Sequence, residues 1–154
     1  MNDVRKLRWI SAVSNASGTW YYASKYKEPR STPVSREYSI VLRLTEQFLI
    51  RAEARAQQEN HAGAKDDLNK IRNRAGLTDV TSGSKEAILD AIAEERKKEL
   101  FTEYGHRFFD LKRTNKLDAI LILKAGWETT DRLLPIPESE FLVNPSLGFQ
   151  NPGY

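Results

Sequence analysis

Two apolar stripes at helical spacing constrain this chain more than any other feature. In SIVLRLTEQFLIRAEARAQQEN, Val41, Leu44, Phe48, Ala52 and Ala56 fall at i, i+3, i+7, i+11 and i+15, which predicts a helix beginning near Glu37. In AKDDLNKIRNRAG, Ala64, Leu68, Ile71 and Ala75 form a second stripe, and Gly76 stands where a left-handed C-terminal residue belongs. Ala52, Ala56, Ala64 and Ala75 are small enough to let the two helices approach closely. A helix pair over 37–76 has the size of a tetratricopeptide-like unit, and only one such unit is present. A lone repeat cannot bury its own face, so further helices must cover it.

Those helices are expected at 84–124. Ser84 is a suitable N-cap for a helix over about 85–103, Gly105 interrupts it, and HRFFDLKRTN and KLDAILIL predict shorter helices beyond. The long helix places acids on its apolar face: at 3.6 residues per turn, Glu95 and Glu99 each lie within about 20° of Ile88. Buried carboxylates must be paired or hydrogen-bonded. Two acids in an open cleft would suit glycoside hydrolysis. The same acids in a closed junction would fix how helices meet, with Arg72, Arg74, Arg96, Arg107 and Arg113 as available partners. Charges alternate in sign down to Arg113, which favours the structural reading.

Charge and composition remove other classes. The chain has 40% apolar and 29% charged residues and no cysteine, which excludes disulfides and thiolate chemistry. His61 and His106 lack a second ligand at i+4, and no phosphate loop or nucleophile elbow occurs, so neither metal, cofactor nor covalent catalysis is expected. Nucleic-acid binding is not expected either: the net charge of +3 is mixed in sign, not a stripe. Its one asymmetry is local, since residues 1–30 carry six basic groups against Asp3 and Glu28. No apolar run is long enough to span a bilayer, and MNDVRKLRWI does not read as a signal peptide.

The two ends read as irregular. Residues 1–36 combine turn formers with aromatics in SNASGTWYYASKY, and Pro29 and Pro33 break helices, so short strands and loops without helix are expected. Trp20, Tyr21 and Tyr22 are the candidate ligand-binding residues, because flat aromatic faces beside polar groups suit sugars; alternate aromatics of a strand equally fill a core. Residues 125–154 thread Leu133, Leu134, Ile136, Phe141, Leu142, Val143, Leu147 and Phe149 between prolines. That pattern predicts an ordered arm packed back on the body.

Five blocks, VLRLTEQFLIRAEARA, AKDDLNKIRNRAGL, IAEERKKELFTEYGHRFFDLKR, LLPIPESEF and NPSLGFQNPGY, run in this order to the last residue. Together they resemble the C-terminal portion of the SusD/RagB-like proteins, nutrient-binding surface lipoproteins of Bacteroidetes-type bacteria. The resemblance implies a mainly α, tetratricopeptide-like fold with an extended N-terminal segment and a proline-rich C-terminal arm ending natively at Tyr154. It implies binding of an oligosaccharide or similar nutrient at the outer-membrane surface and delivery to a SusC-like, TonB-dependent transporter. Anchoring would come from a lipidated cysteine that this chain does not contain. In that family the polar block is structural, so Glu95, Arg96, Glu99, Glu103, Arg107, Asp110 and Arg113 become helix-junction residues. Two departures stand out: Tyr104 intervenes between Glu103 and Gly105 where many members have glycine at once, and QEN replaces a glycine turn before His61. The residues alone leave a rival open, a soluble tetratricopeptide-like adaptor that binds peptides. A piece of a larger helical body is also expected to expose apolar surface and self-associate.

Overall fold

The structure is a computed structural model that describes residues 3–28, 34, 36–81 and 83–154; Pro29, Arg30 and Pro33 lie outside the described residues. It is mainly α-helical, with one two-stranded sheet among those residues. The chain forms two compact units, residues 1–106 and 107–154.

The core of the first unit is a three-helix layer of α2 (Leu44–Gln57), α3 (His61–Arg74) and α4 (Lys85–Glu99). Leu49, Ala52 and Ala56 of α2 pack with Ala64, Leu68 and Ile71 of α3 and with Ile88 and Ile92 of α4. The four alanines singled out above are all buried, which permits the close approach of α2 and α3. Gly76 takes φ +74°, closing α3 as expected. Asn60 caps α3 through the Gly63 N–H, and Ser84 caps α4 through the Ala87 N–H.

Three boundaries differ from the sequence reading. First, α2 begins at Leu44 and not near Glu37, because Arg43 sits in extended backbone (φ −124°, ψ 132°) with its guanidinium held elsewhere. Val41 and Leu44 are therefore exposed, and the buried stripe is Thr45, Leu49, Ala52 and Ala56. Second, α4 ends at Glu99, and Thr102, Tyr104 and Gly105 all take positive φ. Tyr104, at φ +39°, thus occupies a left-handed position that glycine fills without strain. Glu59, at φ +62°, does the same in the turn before α3. Third, the N-terminal segment is not free of helix: α1 (Val4–Trp9) forms because the Asp3 carboxylate caps it at the Arg5 N–H.

After α1 the chain makes a hairpin of β1 (Ile10–Asn15) and β2 (Gly18–Ala23), antiparallel with Val13 opposite Trp20 and Ser11 opposite Tyr22. The Val4 N–H donates to the Ala75 carbonyl at 3.1 Å, tying α1 to the end of α3.

The second unit contains α5 (His106–Arg113) from its second residue on, α6 (Leu117–Leu121), a 3-10 turn (Thr129–Arg132) and α7 (Glu138–Val143). The expectation that the apolar residues of the arm are buried fails. Leu134, Leu142 and Val143 are exposed, and Phe149 is 97% exposed. Hydrogen bonds hold the arm instead. The Gln150 side chain accepts from the Ile136 N–H at 2.7 Å and donates to the Ile136 carbonyl at 2.8 Å. Asn151 Nδ2 donates to the Leu134 carbonyl at 2.7 Å, and the Tyr154 hydroxyl to the Leu133 carbonyl at 3.1 Å.

Candidate functional site

The buried acids of α4 and of the turn that follows it form a ladder. Glu95, Glu99 and Glu103 follow one another at i, i+4 and i+8, and all are buried. Arg5 Nη1 lies 2.6 Å from Glu95 Oε1 and donates to Glu99 Oε2 at 3.0 Å. Arg74 and Arg43 both donate to Glu99 Oε1, at 2.6 and 2.5 Å. Arg72 reaches Glu95 at 3.3 Å. Glu103 receives Arg43 at 2.7 Å, the Tyr26 hydroxyl at 3.0 Å and the Lys25 ammonium at 2.9 Å. Lys25 also donates to the Glu99 carbonyl at 2.7 Å and lies 4.2 Å from the centre of the Trp9 ring.

The ladder's bases come from four places: α1, the loop after the hairpin, the residue before α2, and the end of α3. Arg72 and Arg74 were legible as partners; Arg5, Lys25 and Arg43 were not. The signal for the first two was the basic excess in residues 1–30, of which Arg5 and Lys25 turn inward while Lys6, Arg8 and Lys27 stay exposed. Arg96 is buried and reaches Glu46 at 3.6 Å. Arg107, Asp110 and Arg113 belong to the second unit, where Arg113 donates to Asp110 at 2.9 Å and Arg107 is half-buried. Asp67, which no sequence pattern singled out, is a fourth buried acid, away from the ladder. It takes a bidentate contact from Arg51 at 2.7 Å on each oxygen and another from Arg55 at 2.8 Å.

The electrostatics follow from these contacts. Burial pushes the Glu103 carboxyl up, but hydrogen bonds from Lys25 and Arg43 outweigh it and hold the group below the ordinary carboxylate range. Hydrogen bonds from Arg51 and Arg5 lower Asp67 and Asp3 in the same way. Burial, the largest influence on Lys25, brings that ammonium below its usual range. Glu95 and Glu99 are 1% and 0% exposed, with oxygens turned to guanidinium groups. A glycosidic oxygen and an attacking water have no route to either acid. Among the described residues no three His, Cys, Asp or Glu gather to hold a metal.

The hairpin offers the opposite environment. Trp20, Tyr21 and Tyr22 are 49%, 72% and 55% exposed. Trp20 and Tyr22 share one face with Ser11 and Val13, while Tyr21 points to the other with Ala12. The six-membered ring of Trp20 lies against Gly18, where an added Cβ would stand 3.5 Å from Cη2. One side of the indole rests on backbone, and half of the residue remains open to solvent.

A SusD family model matches residues 5–127 of this chain. The chain belongs to the SusD family. SusD-like protein P38 of Formosa agariphila is 33% identical over 135 residues, covering 80% of this chain and 26% of that protein. SusD-like protein P25 of the same organism is 34% identical over 120 residues, covering 70% and 23%. The chain thus spans about a quarter of the length of these curated relatives. The solved structure of a SusD superfamily protein from Bacteroides vulgatus superposes with a TM-score of 0.75 at 33% identity, over 99% of this chain and 36% of the other. Surface glycan-binding protein A from Bacteroides thetaiotaomicron gives 0.58 at 33% identity, over 71% and 23%. Within this SusD-family chain, the acid ladder lies inside the matched region and so does the aromatic hairpin.

Proposed function

We propose that the chain is part of a cell-surface protein that captures an oligosaccharide or similar nutrient and passes it to a SusC-like, TonB-dependent transporter in the outer membrane. Family membership supports this reading, as does similarity to a protein described as glycan-binding. Binding involves no covalent chemistry. The acid ladder is the scaffold, and the Trp20–Tyr22 face of the hairpin is the contact surface. The observation that carries the local assignment is the Trp20 ring, supported from below by Gly18 and open above. Residues two apart on a strand are about 7 Å apart, so Trp20 and Tyr22 can meet neighbouring parts of one sugar chain. Ser11 adds a hydroxyl on the same face.

Affinity electrophoresis of the 154-residue chain through gels containing starch, laminarin, xylan or alginate tests the assignment. At least one polysaccharide is expected to retard the wild type. Trp20→Ala is expected to cost about 2 kcal/mol, a roughly thirtyfold loss of affinity. Equal retardation of Trp20→Ala, Tyr22→Ala and wild type, with unchanged helicity, would refute the hairpin as the contact surface. Capture of a TonB-dependent barrel on the tagged protein from outer membranes tests the partner separately.

A further inference from the structure

The buried Lys25 ammonium is held by four groups. It lies 2.9 Å from Glu103 Oε1, donates to the Glu99 carbonyl at 2.7 Å and reaches the Phe101 carbonyl at 3.5 Å, and the centre of the Trp9 ring is 4.2 Å away. None of the three oxygens depends on it. Glu103 Oε1 also accepts from the Tyr26 hydroxyl at 3.0 Å, the Glu99 carbonyl from Arg43 at 3.0 Å, and the Phe101 carbonyl from the Thr102 hydroxyl at 2.7 Å. Burial meanwhile disfavours the charged form of Lys25 and brings it below its usual range. Charge compensation therefore does not account for a lysine at this position.

Its place in the chain does. At the base of the hairpin the Ser24 N–H donates to the Trp9 carbonyl at 2.7 Å, and Lys27 donates to the carbonyls of Arg8, at 2.5 Å, and of Ser24. The two strands and residues 24–27 are thereby braced as one piece. A single chain connection at Trp9–Ile10 would leave that piece free to swing, and a second attachment on the β2 side removes the freedom. Tyr26 makes one bond, to the tip of Glu103, whereas Lys25 meets oxygens of three residues across the end of α4 and the turn beyond it. Three points constrain rotation as well as distance. We propose that Lys25 is a positioning residue that fixes the direction in which the hairpin leaves the end of α4, and with it the Trp20–Tyr22 face. Its consequence for binding rests on the reading of that face as the contact surface.

The chain has no cysteine, so spin labels on Ala16→Cys in the hairpin turn and Asp66→Cys on α3, both exposed, report the hairpin's direction by double electron–electron resonance. A narrow distance distribution is expected with Lys25 in place. Lys25→Met keeps an apolar stem beside Trp9 and removes the ammonium. The distribution is then expected to broaden with helicity and thermal midpoint unchanged, because Glu103 and Glu99 keep their other donors. Binding to a polysaccharide that retards the wild type is expected to weaken on the order of tenfold, since a loosened surface must be ordered on binding. Tyr26→Phe, which removes one bond to Glu103 and leaves Lys25 in place, is expected to keep the narrow distribution. An equally narrow distribution in Lys25→Met would overturn the proposal. So would equal broadening in Tyr26→Phe, or a Lys25→Met variant that loses its helices, because the residue would then hold the fold and not the direction. The distance measurement involves no sugar. If no polysaccharide retards the wild type, the contact surface is refuted while the labels still decide the role of Lys25.

Discussion

Glu99 shows what a single buried charge does here. Three guanidinium groups, from Arg5, Arg43 and Arg74, converge on its two oxygens, while the Lys25 ammonium and Arg43 take its carbonyl. Removing the Glu99 charge leaves the Arg5 and Arg43 guanidinium groups buried with less compensation, while Arg74 can turn to water. Glu99→Gln is therefore expected to lower unfolding free energy by roughly 3–5 kcal/mol, read as a shift in the urea midpoint. A variant as stable as wild type would show that the ladder contributes nothing net. The helical phase of Glu95 and Glu99 relative to Ile88 was readable from spacing alone, because it depends only on local geometry. Arg5 and Arg43 were not readable as partners. They lie 94 and 56 positions away in sequence, and only folding brings them to Glu99.

At the scale of elements, the arm illustrates how irregular chain is kept in place without a core. Pro135 and Pro137 have no amide hydrogen, so Ile136 between them offers the local N–H, and Gln150 satisfies both its N–H and its carbonyl. Gly153 is required twice: its φ is +99°, and an added Cβ would stand 2.7 Å from Cβ of Thr130. Gln150→Ala and Gly153→Ala are each expected to loosen residues 144–154 by about 1–3 kcal/mol, with the helical core unaffected. Limited proteolysis checks this: cleavage should move into the arm in both variants, and resistance equal to wild type would count against the clasp. The irregular path of the arm was legible in its prolines, whereas its mode of attachment was not. Side-chain amides that replace a strand partner leave no periodicity to read. The start of α2 was misplaced for a related reason, since the stripe through Val41 and Leu44 continues a helical phase that the held Arg43 breaks.

For the molecule as a whole, its first unit joins an apolar three-helix core to segments held against it by buried ion pairs. The hairpin buries almost none of its own side chains, and a two-stranded ribbon is marginal alone. The segments on either side of it are fastened through Arg5 to Glu95 and Glu99 of α4 and through Lys25 to Glu103 in the turn after it. A pH dependence follows. Asp3, Asp67 and Glu103 have folded-state pKa values below their ordinary ones, so each contributes stability fully above about pH 4–5 and loses it as pH falls through the folded value. The urea midpoint is expected to be flat from neutral pH to about 5 and to fall below about 4. Asp67→Asn should lower the neutral plateau and flatten the acid limb, and an acid limb of unchanged steepness would refute its share. The sequence by itself determined the helix pair, the third helix over it, the caps at Ser84 and Gly76, and the family. Each of these depends on neighbours three or four residues apart or on an ordered set of local blocks. Only the tertiary structure decided which bases meet the buried acids, that the aromatics of the hairpin are exposed, and that Tyr38–Leu42 makes no backbone hydrogen bond among the described residues. Those outcomes depend on which distant segments share space, and no local period encodes that.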